Sequence, residues 1–156
     1  MSLISSSLTV CLSCFPVRTD IFGFEVLENN SLEQLLINFA NEKLQQHYTD
    51  FVFKKERLEY RQEAVDVSDV EFTDNQAVVD LIGGKQVSLL STLNDKTKVK
   101  TSTDASLVEA LDKAFGKNKG SLFEKRKTSD TIFKVRHFAG EVGYDATGFV
   151  VKNQDS

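Results

Sequence analysis

Asp20-Ile21-Phe22-Gly23 sets a carboxylate three residues ahead of a glycine in a chain of 156 residues. Phosphoryl-transfer sites use this D-x-x-G spacing. The carboxylate lies near Mg²⁺, and the glycine amide can approach a terminal phosphate because no Cβ stands in the way. Taken alone the pattern is short and recurs by chance, and no G-x-x-x-x-G-K-[S/T] phosphate cradle accompanies it. Asn118-Lys119 opens a guanine-reading N-K-x-D, but Ser121 breaks it and disfavours a GTPase-like switch protein. Cys11 and Cys14 form a lone C-x-x-C, and the only histidines are His47 and His137. A zinc site lacks its second pair of ligands, and a redox dithiol lacks a strand-to-helix setting. The cysteines read as two unpaired thiols of a cytosolic chain. Neither histidine has a nucleophile or carboxylate at a telling spacing, so both read as structural.

The elements that would position this chemistry are marked by what is missing. Between Gly23 and Gly83 there is no glycine and no proline. Within that span Leu32, Leu35, Leu36, Phe39, Ala40, Leu44, Tyr48, Phe51 and Val52 recur at spacings of three and four, which predicts one long amphipathic helix from Ser31 to Glu63. Asn30 with Glu33, or Ser31 with Gln34, offers a capping box at its start. Val65–Phe72 alternates as an extended segment. Asp74 or Asn75 caps a short helix, Gln76–Ile82, closed by Gly83-Gly84, and a second short helix is expected over Val87–Leu93. Asn94–Thr103 reads as a loop, and Thr103 or Asp104 caps a helix over Ala105–Phe115. Thr131–Phe138 and Val142–Asp145, turning at Ala139-Gly140-Glu141, predict a β-hairpin. The expected fold class is α+β and mostly helical: one long helix, several short ones and a C-terminal hairpin.

Charge is unevenly spread. Nineteen Lys/Arg against 23 Asp/Glu leave −4 overall, but residues 20–80 carry a net −9 and residues 96–127 a net +5. A basic island in an acidic chain suits an acidic partner, whether nucleic acid, an anionic membrane or a protein surface, or is simply a solvated lysine loop. With 40% hydrophobic and 27% charged residues the composition is that of a globular domain. No run reaches the ~20 apolar residues of a spanning helix, so no membrane insertion is expected. Met1–Phe15 has no basic residue ahead of its apolar run, and a secretory signal is not expected.

The longer run Asp20-Ile21-Phe22-Gly23-Phe24-Glu25 is more specific. Followed by Asn30-Ser31-Leu32-Glu33-Gln34-Leu35 and Ile37-Asn38-Phe39-Ala40-Asn41-Glu42-Lys43-Leu44-Gln45-Gln46, it closely resembles the myosin motor domain, where switch II leads into the relay helix. The resemblance continues through Glu59-Tyr60, Asp74-Asn75-Gln76, Asp80-Leu81-Ile82 and Thr103-Asp104. It also takes in Phe133-x-Val135-x-His137-Phe138-Ala139-Gly140-x-Val142-x-Tyr144 and Gly148-Phe149-x-x-Lys152-Asn153. It covers residues 20–156 as a partial motor domain.

This resemblance implies a piece of a P-loop NTPase-superfamily motor, an actin-based, ATP-driven protein of the cytoplasm and cytoskeleton. It implies ATP and Mg²⁺ as cofactors, with Asp20 near the Mg²⁺ water shell, the Gly23 amide on the γ-phosphate, and Glu25 helping to position the attacking water in an intact motor. The implied partners are the actin filament and the remainder of the motor domain, with no nucleic acid. The helix–loop–helix from about Lys85 to Phe115 resembles the lower-half actin-docking element, which nominates Ser88, Leu89, Leu90, Lys96, Lys98, Val99, Lys100, Thr103, Asp104 and Leu107 for actin contact. Phosphate loop and switch I are missing from these residues, so the isolated chain is expected not to hydrolyse ATP. A non-enzymatic actin-binding or helical interaction fragment is the alternative.

Three places depart from the family pattern. Val67 stands where the relay loop usually carries Trp. In the actin-docking loop, Ser88, Asp95-Lys96, Val99-Lys100 and Ser102 replace a glycine, an acidic pair, Phe-Pro and a glycine, which makes the element more basic and less apolar. Phe15-Pro16-Val17-Arg18-Thr19 replaces a buried apolar strand with a proline and a charge. Residues 1–19 are therefore expected to be a non-family segment, disordered or a mis-assigned start.

Overall fold

A computed structural model describes residues 23–62, 74–116 and 121–154. Asp20, Cys11, Cys14, Val67 and the extended segment expected over Val65–Phe72 lie outside the described residues.

With no proline or glycine to interrupt it, the chain forms a single helix α1, Leu32–Gln62, of 31 residues, about 46 Å long at 1.5 Å per residue. Of the two cap alternatives, Ser31 and Gln34 form the start: the Gln34 side chain accepts the Ser31 N–H at 3.0 Å. Asn30 is engaged elsewhere. The expected apolar stripe is only partly the buried face. Leu32 and Leu35 are buried, but Leu36, Leu44, Tyr48 and Phe51 are exposed, and the covered line continues through two polar residues, Asn38 and Glu42.

The next helix, α2 (Gln76–Gly83), packs against α1 so closely that a Cβ on Gly83 would meet the Phe39 ring. The third, α3 (Leu89–Thr97), starts later and runs further than expected. Ser88 and Ser91 close a reciprocal capping box, and the polar residues Asn94–Thr97 form its solvated last turn rather than a loop. Thr103 and Ser106 cap the fourth, α4 (Asp104–Phe115), in the same way.

The expected hairpin is part of a larger unit, an antiparallel sheet in the order β1-β2-β3: β1 (Phe123–Lys125), β2 (Ile132–His137) and β3 (Gly140–Asp145). Its registers pair Phe123 with Val135, Phe133 with Tyr144, and His137 with Gly140. Gly140 takes a φ of 142° at the β2–β3 turn, a region that only glycine enters without strain. A final helix, α5 (Phe149–Gln154), was not legible in the sequence. The Asp104 carboxylate accepts the Gly148 and Val150 N–H groups at 2.9 and 3.1 Å, so the first turn of α4 secures the start of α5.

One apolar core joins these pieces. Leu89, Leu93, Leu107, Val108 and Leu111 from α3 and α4 pack with Phe123, Phe133, Val135 and Val142 of the sheet and with Phe149. The Phe133 ring stacks on Phe123 at 5.4 Å and on Tyr144 at 5.6 Å, and meets Phe149 edge-on at 6.2 Å. The fold is thus α+β and helix-rich, and among the described residues the sheet has three strands where a two-stranded hairpin was expected.

Candidate functional site

The segment from Gly23 to Asn30 has no regular structure, yet it is held at both ends. Gly23 is exposed, and a Cβ built on it would meet nothing within 4 Å, so its backbone is open to a close approach. Two residues on, Asn38 of α1 grips the Glu25 backbone twice. Asn38 Oδ1 accepts the Glu25 N–H at 2.8 Å, and Asn38 Nδ2 donates to the Glu25 carbonyl at 2.8 Å. The Glu25 carboxylate, half-buried, accepts from Gln34 Nε2 at 3.3 Å. At the far end Asn30 is buried. Its Oδ1 accepts the Leu27 N–H, its Nδ2 donates to the carbonyls of Leu27 and Gly143, and its own carbonyl accepts the Asp145 N–H. The segment therefore lies fixed between the outer edge of β3 and the first turns of α1. Phe24 adds edge contacts to the rings of His137 at 5.2 Å and Phe138 at 5.8 Å.

Behind this segment a row of buried polar groups runs from α1 into the sheet. Asn38 Nδ2 also donates to the Tyr144 hydroxyl at 2.9 Å, and that hydroxyl lies 2.8 Å from His137 Nε2. His137 Nδ1 lies 3.0 Å from Glu42 Oε1, which also accepts the Phe138 N–H at 2.8 Å. Asn75 Nδ2 donates to Glu42 Oε2 at 2.5 Å and to the Glu42 carbonyl at 2.9 Å. Asn38, Glu42 and Tyr144 are almost wholly excluded from water, at 0%, 0% and 1% exposure. Burial pushes the Tyr144 hydroxyl far above its usual range; the bond from Asn38 opposes that push and the charge of Glu42 adds to it, so the group stays a donor.

His137 is buried in β2 and, contrary to expectation, has a carboxylate partner: Glu42, 95 residues away in sequence. No sequence signal marked this pairing: Asn38 and Glu42 lie one helical turn apart on α1, but only the fold makes their line the covered one. His47 is exposed on α1.

The residues nominated on the helix–loop–helix divide by burial. Ser88, Leu89 and Leu107 are at most 1% exposed, so they cap or fill the core and offer no surface. Thr103 caps α4, and Asp104 is committed to the start of α5. The accessible tip consists of Lys98, Val99 and Lys100, with Lys98 paired to Asp95 at 3.1 Å, while Leu90 and Lys96 are half-covered. Elsewhere on the surface, Lys152 of α5 binds Glu33 at 2.7 and 2.9 Å. That bond, with a smaller contribution from Ser31, holds the Glu33 carboxyl down at about 2. Among the described residues no cluster of ligating side chains could hold a metal, and no helix is long and apolar enough to cross a membrane.

Comparison with known proteins gives one answer. The family model described as myosin head (motor domain) matches residues 17–156. The chain is similar to unconventional myosin-VIIb of Mus musculus, 43% identical over 136 residues, covering 87% of this chain and 6% of the relative. It is also 45% identical over 136 residues to the myosin-H heavy chain of Dictyostelium discoideum (87% of this chain, 8% of the relative) and to myosin-15 of Arabidopsis thaliana (87% and 9%). The chain thus spans less than a tenth of the length of these relatives.

Proposed function

The chain belongs to the myosin motor-domain family, and on that premise we propose that residues 20–156 supply the switch II segment, the relay helix and part of the actin-facing surface of an ATP-driven motor. The observation that carries this reading is the double grip of Asn38 on the Glu25 backbone. A loop that senses phosphate is useful only if its displacement reaches something stiff. Here it is tied to the first turns of a 31-residue helix, and a rod of about 46 Å converts a small shift at one end into a larger one at the other.

The open Gly23 backbone suits the approach of a phosphate. In this reading ATP supplies the phosphoryl group and Mg²⁺ neutralises its charge, and the protein contributes position. In an intact motor Asp20 would hold the Mg²⁺ water shell, the Gly23 N–H would donate to the terminal phosphate, and Glu25 would orient water. Glu25 is held back by Gln34 through a 3.3 Å bond, a link weak enough to exchange for a basic partner supplied by the rest of a motor. The tip at Lys98, Val99 and Lys100 meets the acidic filament, charge steering the encounter and Val99 adding apolar contact.

The 156-residue polypeptide, with no phosphate cradle in its sequence, does not turn over ATP by itself. The decisive experiment places residues 20–156 in the matching position of a complete myosin heavy chain. Actin-activated ATPase should survive the exchange, and Gly23→Ala should slow it by about a hundredfold, the scale of losing one positioned backbone donor. Turnover by the lone chain, or a chimera indifferent to Gly23→Ala, overturns the assignment. The exposed basic tip favours one further reading, filament binding without catalysis. Cosedimentation of the lone chain that weakens with added salt supports it.

A further inference from the structure

Between α1 and the sheet, hydrogen bonds run from one carboxylate to one backbone peptide, and their direction is set at the carboxylate end. An ionised Glu42 only accepts, and three donors converge on its two oxygens: His137 Nδ1, the Phe138 N–H and Asn75 Nδ2. His137 must then carry its proton on Nδ1, which leaves Nε2 as an acceptor. The one proton of the Tyr144 hydroxyl goes to Nε2, so the hydroxyl oxygen accepts from Asn38 Nδ2. The second Nδ2 proton of Asn38 goes to the Glu25 carbonyl, and Oδ1 takes the Glu25 N–H. Each donor meets an acceptor, and among the described residues no buried side-chain nitrogen or oxygen lacks a partner. With Asn38 turned over, Oδ1 would face the Glu25 carbonyl and the Tyr144 oxygen, and Nδ2 would face the Glu25 N–H. Three attractions would become repulsions.

We propose that Glu42 is a positioning residue for Glu25: its acceptor-only carboxylate, acting through His137 and Tyr144, supplies the one contact on the Asn38 amide that Glu25 does not make itself, and so steadies the grip on the Glu25 peptide. The hairpin thereby becomes part of the device that sets the switch segment, along with α1. This inference rests on the proposed switch role for its functional meaning, but its geometry needs no nucleotide.

The test uses ¹⁵N NMR and amide exchange on the full chain, with each Glu25 rate divided by that of the Leu111 amide in the core. In the unmodified protein the His137 ring should show a protonated Nδ1 and an unprotonated Nε2 in a single tautomer. Tyr144→Phe, which removes none of the hydrogen bonds described for Glu25, should raise the relative exchange of the Glu25 amide about tenfold, the scale of one buried hydrogen bond lost. Glu42→Leu removes both acceptor oxygens and leaves nothing for His137 Nδ1 to donate to. It should give a similar rise in the unmodified background and no further rise when Tyr144→Phe has already cut the chain. A purely structural Glu42 would raise exchange by the same factor in both backgrounds, and that result overturns the proposal. Should Glu42→Leu fail to fold, the remaining two measurements decide: a proton on Nε2, or an unchanged Glu25 rate in Tyr144→Phe, overturns it equally. Because ATP is absent throughout, a chain that never responds to nucleotide would leave these results standing, so the two failures cannot be confused.

Discussion

Two parts of this molecule are equally dry and are held together by opposite means. Around Phe133 the α3–α4–α5 layer meets the sheet through aliphatic and stacked aromatic side chains. Such a core is non-directional, and its losses scale with the volume removed. Along α1, past Leu32 and Leu35, the buried contacts are Asn38 and Glu42, and what matters there is which atom carries a proton. A polar seam of this kind tolerates no half measures, because removing one partner strands the others without water.

The contrast can be tested by substitution. The largest loss is expected on the apolar side. Phe133→Ala removes a fully buried ring from between three others and should cost about 3–5 kcal/mol, read as a lower urea midpoint at unchanged slope. Glu42→Ala should cost nearly as much, about 3 kcal/mol, although it removes far less apolar surface, since it orphans His137 Nδ1 and the Phe138 N–H and leaves Asn75 Nδ2 only the backbone carbonyl of residue 42. A double-mutant cycle of Glu42 and His137 should then return a coupling of about 1–3 kcal/mol. Additive losses there would erase the distinction between seam and core. Next comes Tyr144→Phe, which keeps the ring stack and deletes only the hydroxyl, at about 1 kcal/mol by the same denaturation measurement.

The smallest effect belongs to the surface. Glu33 is held at about 2, chiefly by Lys152 and then by Ser31. Its folded value is depressed, so its contribution is fully present above about pH 4.5 and is lost as pH falls toward 2. With the pair about half exposed, the contribution is well under 1 kcal/mol. Thermal melts of Glu33→Gln should converge on those of the unmodified chain at pH 2 and fall slightly below them above pH 4.5.

Legibility in the sequence followed the same division. The long helix was plain because some sixty residues carry no breaker, and the caps at Thr103 and Gln34 were readable because they lie within one turn of what they cap. The third strand was not. Phe123-Glu124-Lys125 is too short to alternate visibly, and only its register against Val135 and Phe133 makes it a strand. The last helix escaped for a related reason: six residues do not nucleate alone, and the carboxylate that starts them sits 44 positions earlier at Asp104. The extra length of α3 was hidden by its polar composition, which a solvated turn shares with a loop. At the candidate site Gly23 and Glu25 could be nominated from their motif. The grip of Asn38 and the partnership of His137 with Glu42 depend on tertiary proximity, and a polar residue on a helix face gives no hint of whether water or protein will satisfy it.

The side chain of Asn75 stands at the start of α2 and makes no bond to it, having been given to Glu42; Asp74 caps the Gln76 N–H in its place. A boundary residue claimed by a neighbouring helix makes the eight-residue segment after it a conditional structure. Its opening turn acquires a fixed place only once the middle of α1 has arrived, so it should be among the last pieces to settle as the chain folds and among the first to fray when α1 shifts.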